Sequence, residues 1–181
     1  GIIDYGAGNL FSLKCSLEYL GLESVIVSEA KAMDKCGRLI LPGVGAFGDA
    51  VKKLRETSLD ETILKEAQRG KPLLGICLGM QIAVIEYARY VCGLSDANSG
   101  EFDEDSKHKV IDFMPDQSNE IAKGGTMRLG AYPCRIIPGT KMEECYKTTD
   151  ISERHRHRYE FNNDYKAQYE AAGMKCTGIN P

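Results

Sequence analysis

The stretch Gly75-Ile76-Cys77-Leu78-Gly79-Met80-Gln81 constrains this chain more than any other. It joins an apolar lead-in, Lys71-Pro72-Leu73-Leu74, to an apolar segment of helical character from Ile82 to Tyr90. A Gly-x-nucleophile-x-Gly junction between strand and helix needs small flanking residues. They let the backbone bend sharply and leave one side chain exposed above the sheet edge. Here that side chain is Cys77, at a helix N-terminus, where unpaired N–H groups and the dipole favour a thiolate. A buried structural cysteine is the competing reading, and the strand and helix on either side argue against it.

The segments around this elbow alternate. Ile2 to Asp4 reads as a strand, Tyr5-Gly6-Ala7-Gly8-Asn9 as a tight turn with Asn9 as N-cap, and Leu10, Leu13, Leu17 and Leu20 as a helix ended by Gly21. Gly6-Ala7-Gly8 is not a dinucleotide fingerprint, because Phe11 stands where the third glycine belongs. Ser24 to Ser28 and Arg38 to Leu41 follow as strands, the latter entering the loop Pro42-Gly43-Val44-Gly45-Ala46-Phe47-Gly48. Two helical pieces, 51–54 and 59–67, lead to Gly70 and the strand 73–76. This βα alternation predicts a doubly wound, mostly parallel α/β sheet with helices on both faces, in one domain over 1–181. Loops at the carboxyl ends of adjacent parallel strands share one crevice, so the 42–48 loop could offer backbone N–H groups to whatever Cys77 attacks. An ordinary turn or a phosphate cradle remains open for it, although no Gly-Lys-Ser/Thr follows.

Beyond Cys92 the texture changes. Residues 95–108 and Pro115 to Gly125 read as polar surface loops, Met127 to Ile137 as a strand, Pro138-Gly139 as a turn, Asp164 to Ala172 as a helix capped by Gly173, and Lys175 to Thr177 as a strand. On a strand, Arg154, Arg156 and Arg158 would share one face and His155 and His157 the other. His155 and His157 lack ligands enough for a metal site, since only His108 remains. Nucleic acid is disfavoured by a formal net charge of −3 and by the absence of interleaved aromatics.

Seven scattered cysteines without a Cys-x-x-Cys pair predict a reducing, cytoplasmic setting. No signal peptide is evident, and no apolar run approaches the ~18 residues of a membrane span. Both ends look cut: Ile2-Ile3-Asp4 reads as the end of a strand whose beginning is missing, and Ile179-Asn180-Pro181 stops just after another.

Leu73 to Gln81, preceded by Pro42-Gly43-Val44-Gly45, resembles the class I (triad) glutamine amidotransferases. Residues 1 to about 81, with Ile3 to Leu10 and Leu41 to Ala50, are similar to the glutaminase subunit of imidazole glycerol phosphate synthase. Residues from about 75 to 181 resemble the glutaminase domain of CTP synthase through Met80 to Glu86, Gly124 to Cys134 and Glu153 to Asn163. The elbow is the overlap, so an apparent family seam falls near 75–81.

The resemblance implies hydrolysis of L-glutamine by Cys77, with ammonia passed to a synthase domain or subunit. It implies an oxyanion hole from the backbone N–H groups of Val44 and Leu78, with Gly43 and Gly45 allowing the loop to approach and Gly43, Gly45 and Gly79 among the substrate-binding residues. Gln81 and Glu101 would hold the substrate's amino-acid end, and Arg158 would bind glutamine through its backbone. The 124–130 loop resembles a lid linked with GTP activation. No cofactor is implied for this domain; ATP, Mg and GTP belong only to a full CTP synthase. The family's His-x-Glu pair would lie beyond residue 181, since none of His108, His155 and His157 has Glu two residues on. Loss of acid–base help typically removes ~10²–10⁴-fold of rate, so impaired turnover is expected of this polypeptide. Two further expectations stay open: a non-catalytic scaffold that binds a synthase, and an α/β hydrolase with a cysteine nucleophile.

Overall fold

The computed structural model describes residues 1–45, 47–114 and 128–181. Their contacts divide into two compact units, Gly1–Glu86 and Tyr87–Pro181.

In the first unit, β1 (Ile2–Ile3), β2 (Ile26–Val27), β3 (Leu39–Leu41) and β4 (Leu73–Gly75) form a parallel sheet in the order β2-β1-β3-β4. Parallel strands in the middle of a sheet are covered on both faces and so read as unbroken apolar runs. Accordingly Ile2 and Ile3 are fully buried and Leu39 and Leu41 nearly so. Burying each such side chain contributes about 1.5–3 kcal/mol. Edge strand β2 leaves Ile26 exposed.

Four helices connect these strands or precede the last one: α1 (Leu10–Tyr19), α2 (Ala30–Asp34), α3 (Phe47–Glu56) and α4 (Leu59–Gln68). Asn9 caps α1 as expected, its side-chain oxygen accepting the Ser12 N–H at 3.1 Å. The predicted leucine stripe of α1 is covered only in part, with Leu10, Leu13 and Leu17 half-buried and Leu20 exposed. In α3 and α4 the buried face is clear: Ala50 and Leu54, then Leu59 and Ile63. The buried carboxylate of Glu66 is held by Lys71 and by Arg69 at 3.0 Å. Helix α5 (Leu78–Tyr90) follows the elbow and continues into the second unit.

The parallel pattern does not extend through the second unit. There β7 (Arg128–Ile136) pairs antiparallel with both β8 (Asp150–His157) and β10 (Gly178–Ile179). A second sheet has the order β5-β6-β9, from Asn98–Ser99, Lys109–Phe113 and Tyr159–Phe161. Between β7 and β8 lies α6 (Lys141–Tyr146), which the sequence reading passes over although Thr140 caps it by accepting the Glu143 N–H. Helix α7 (Lys166–Ala171) follows a 3-10 turn, Asn163–Tyr165.

Three expectations need correction. The 95–108 segment is not all surface loop: Ala97, Asn98 and Ser99 are buried. Their polar groups are satisfied internally, the Asn98 N–H donating to the His108 carbonyl at 2.9 Å and the Ser99 N–H to the Asn98 side chain at 3.0 Å. Arg158 does not continue the arginine face of β8. Arg154 and Arg156 are exposed, but the chain leaves one sheet after His157 and joins the other at Tyr159, so alternation stops there. The last strand is Gly178–Ile179, three residues later than expected. The predicted loop from Pro115 to Gly125, and residues 124–127 of the lid segment, lie outside the described residues.

Candidate functional site

At the elbow, β4 ends at Gly75, α5 begins at Leu78, and Cys77 sits between them with its side chain exposed and φ of +55°. A non-glycine residue in the left-handed region costs about 1–2 kcal/mol, a strain that folded proteins retain mainly at functional positions. The glycines make the bend possible by absence of bulk. A Cβ at Gly75 would lie 2.8 Å from the Gly79 carbonyl oxygen, and one at Gly79 would collide with the Leu41 carbonyl oxygen.

The 42–45 loop meets this bend at Gly43. A Cβ at Gly43 would come 2.7 Å from the Gly79 nitrogen and 2.8 Å from the Leu78 Cβ. Gly45 has φ of +89°, and Val44 is exposed. Leu78 is buried and is the first residue of α5, so its N–H has no carbonyl one turn earlier in the helix. Gly43 thus packs against Leu78 and Gly79, the residues that follow Cys77 around the bend, a close approach of backbone to backbone that only glycine allows here.

Gln81, in the first turn of the same helix, is half-buried, and its side-chain oxygen has no hydrogen-bond partner among the described residues. Leaving a buried acceptor unsatisfied typically costs about 1–3 kcal/mol, which a donor on a ligand would recover.

Glu101 and Arg158 belong to the second unit. Glu101 directly follows β5, its N–H donating to the Ser99 hydroxyl at 3.2 Å. Burial raises its carboxyl above the ordinary range, and the nearby Arg158 guanidinium opposes that rise. Arg158 stacks its guanidinium over the Phe113 ring at 5.6 Å. His155 and His157 lie side by side on β8, with ring nitrogens 2.8 Å apart. Burial first, then the charge of His155, lowers the affinity of His157 for a proton. Among the described residues no three His, Cys, Asp or Glu side chains gather as a metal site. None of the described helices is long and apolar enough to cross a membrane.

One residue of this neighbourhood escaped the sequence reading. Tyr5 is 2 % exposed, and its hydroxyl donates to the Pro42 carbonyl at 2.8 Å, across 37 residues of chain. Burial raises its phenol above the ordinary value, and the charge of Cys77 adds to the rise. The only signal in the sequence is a bulky aromatic wedged between a strand end and a glycine turn.

The family model for class-I glutamine amidotransferases matches residues 1–181. A CTP synthase from Rubrobacter xylanophilus is 44% identical over 183 residues, covering 97% of this chain and 31% of its own length. One from Moorella thermoacetica is 57% identical over 114 residues, covering 63% of this chain and 21% of its own length. The chain therefore spans about a fifth to a third of these relatives. Likeness to CTP synthase is not confined to the part after residue 75, since the first of these alignments takes in nearly the whole chain. Among solved structures, a "Trypanosoma brucei CTPS - glutaminase domain with bound acivicin" superposes with a TM-score of 0.75 at 29% identity, over 99% of this chain and 74% of that one. The strained cysteine, the glycine packed on the bend beside it and the match over the full length lead to one conclusion: this chain belongs to the class-I glutamine amidotransferase family.

Proposed function

We propose that this chain is the glutaminase domain of a cytoplasmic CTP synthase, hydrolysing L-glutamine and delivering ammonia for the conversion of UTP to CTP. The observation that carries this reading is Cys77, exposed at φ +55° on a bend against which Gly43 packs. Its sulfur adds to the side-chain amide carbon of glutamine. The oxyanion that forms is met by the N–H groups of Val44 and Leu78. Collapse breaks the C–N bond and releases ammonia, for which a proton donor is needed. Water then adds to the thioester and frees glutamate and the thiol.

Gln81 in the first unit offers a carbonyl oxygen to the amino-acid end of the substrate; in the second unit, by resemblance to the family, Glu101 offers its carboxylate to the α-ammonium and Arg158 a contact through its own backbone. The unsatisfied Gln81 oxygen and the negative charge of Glu101 suit a cation. The likeness to named CTP synthases favours UTP as ammonia acceptor. ATP, Mg and GTP would then act on the remainder of a whole synthase.

The test is covalent labelling. A chloroketone analogue of glutamine should alkylate Cys77, located by peptide mass spectrometry, and glutamine should slow the reaction in proportion to its concentration. Labelling that glutamine leaves unchanged would remove the glutaminase reading.

A further inference from the structure

We infer that Tyr5 is a positioning residue for the nucleophile's oxyanion loop, its hydroxyl fixing the Pro42 carbonyl so that the next peptides present their N–H groups toward Cys77. The inference rests on the oxyanion reading above and goes beyond it, because Tyr5 touches the loop rather than the substrate.

Three observations carry it. The Tyr5 hydroxyl donates to the Pro42 carbonyl at 2.8 Å from a site only 2 % exposed, so water does not compete for that bond. Pro42 has no N–H of its own, and its carbonyl is the handle by which the peptide plane entering Gly43 can be fixed. The turn after Tyr5 also lies close against the loop: a Cβ at Gly8 would stand 3.1 Å from the Pro42 Cβ. That turn is itself anchored, the Lys53 ammonium donating to the Gly6 carbonyl at 2.7 Å and the Gly6 N–H to the Asp4 carboxylate at 3.0 Å.

Glycines at 43 and 45 leave the loop many conformations, of which one faces the sulfur. A buried hydrogen bond at its first residue selects among them in advance, the sort of preorganisation on which electrostatic catalysis depends.

Two reagents acting on the same sulfur test this. The chloroketone analogue of glutamine needs its ketone oxygen seated among the loop donors, whereas methyl methanethiosulfonate carries no carbonyl and reports only thiol access and ionisation. Tyr5→Phe should slow the chloroketone reaction at Cys77 about 10- to 100-fold, the scale of a small misplacement of reacting groups. Its thiosulfonate rate at Cys77 should stay within twofold of wild type. Gly8→Ala, whose methyl would press on Pro42 at a residue held at φ of +116°, should show the same split and serves if Tyr5→Phe does not fold. Equal chloroketone rates in wild type and both variants would overturn the proposal, as would a parallel fall in both reagents. If wild-type Cys77 is not protected by glutamine at all, the glutaminase reading fails first and this inference with it.

Discussion

Gly79 lies so close to the Leu41 carbonyl oxygen that no side-chain carbon fits between them. The same carbonyl accepts the Ile76 N–H at 3.0 Å. One backbone oxygen on β3 therefore meets the chain both entering and leaving the bend that carries Cys77.

Gly79→Ala should accordingly be costly. The methyl meets strand backbone rather than a flexible side chain, so either α5 or β3 must shift. Overpacking of this kind costs about 1–3 kcal/mol. A fall in denaturant stability of that size, together with slower chloroketone labelling of Cys77, is expected. Wild-type stability in the variant would show that the bend has slack.

The strain at Cys77 predicts an ordering of two substitutions. Cys77→Ala keeps a Cβ at φ +55°, whereas Cys77→Gly removes it and with it about 1–2 kcal/mol of left-handed cost. The freer unfolded chain of the glycine variant returns about 0.4–1 kcal/mol. The glycine variant should thus be the more stable by roughly 1 kcal/mol. Urea unfolding of the pair measures it, and an alanine variant as stable or more so would argue that the bend is unstrained.

Glu66 should make the first unit acid-sensitive. Its hydrogen bond to Lys71, with lesser help from Arg69, holds the carboxyl below the ordinary glutamate range. A carboxyl that binds its proton less readily when folded adds stability above its unfolded pKa. That contribution is lost as pH falls through the folded value. Glu66→Gln should lower thermal stability at pH 7, and its deficit should shrink as the pH drops below the ordinary glutamate range. A deficit constant with pH would mean that packing, not charge, is what the substitution removes.

The alternation of β1, α1, β3 and the elbow was legible because each depends on neighbours in sequence. Ile2-Ile3 and Leu39 to Leu41 are apolar runs, Asn9 precedes a helix, and Gly75 and Gly79 flank Cys77. The second unit was read less well. Asn98 and Ser99 look like loop residues because their polarity is neutralised by partners at His108 and within their own side chains, which composition does not reveal. Arg158 was misplaced because strand alternation was carried across a point where the chain changes sheets.

By itself the sequence determined the candidate nucleophile Cys77, the glycines that flank it and the glycine loop read beside it, since all three are written in short contiguous motifs. Only the tertiary structure decided that Gly43 rests on the elbow, that Cys77 takes a positive φ and that Tyr5 holds Pro42 from 37 residues away. Contacts between residues far apart along the chain follow from the sheet order β2-β1-β3-β4, which sets β3 between β1 and β4. Periodicity reports which residues are apolar and where a chain turns, but strand order is fixed by the packing of the whole unit.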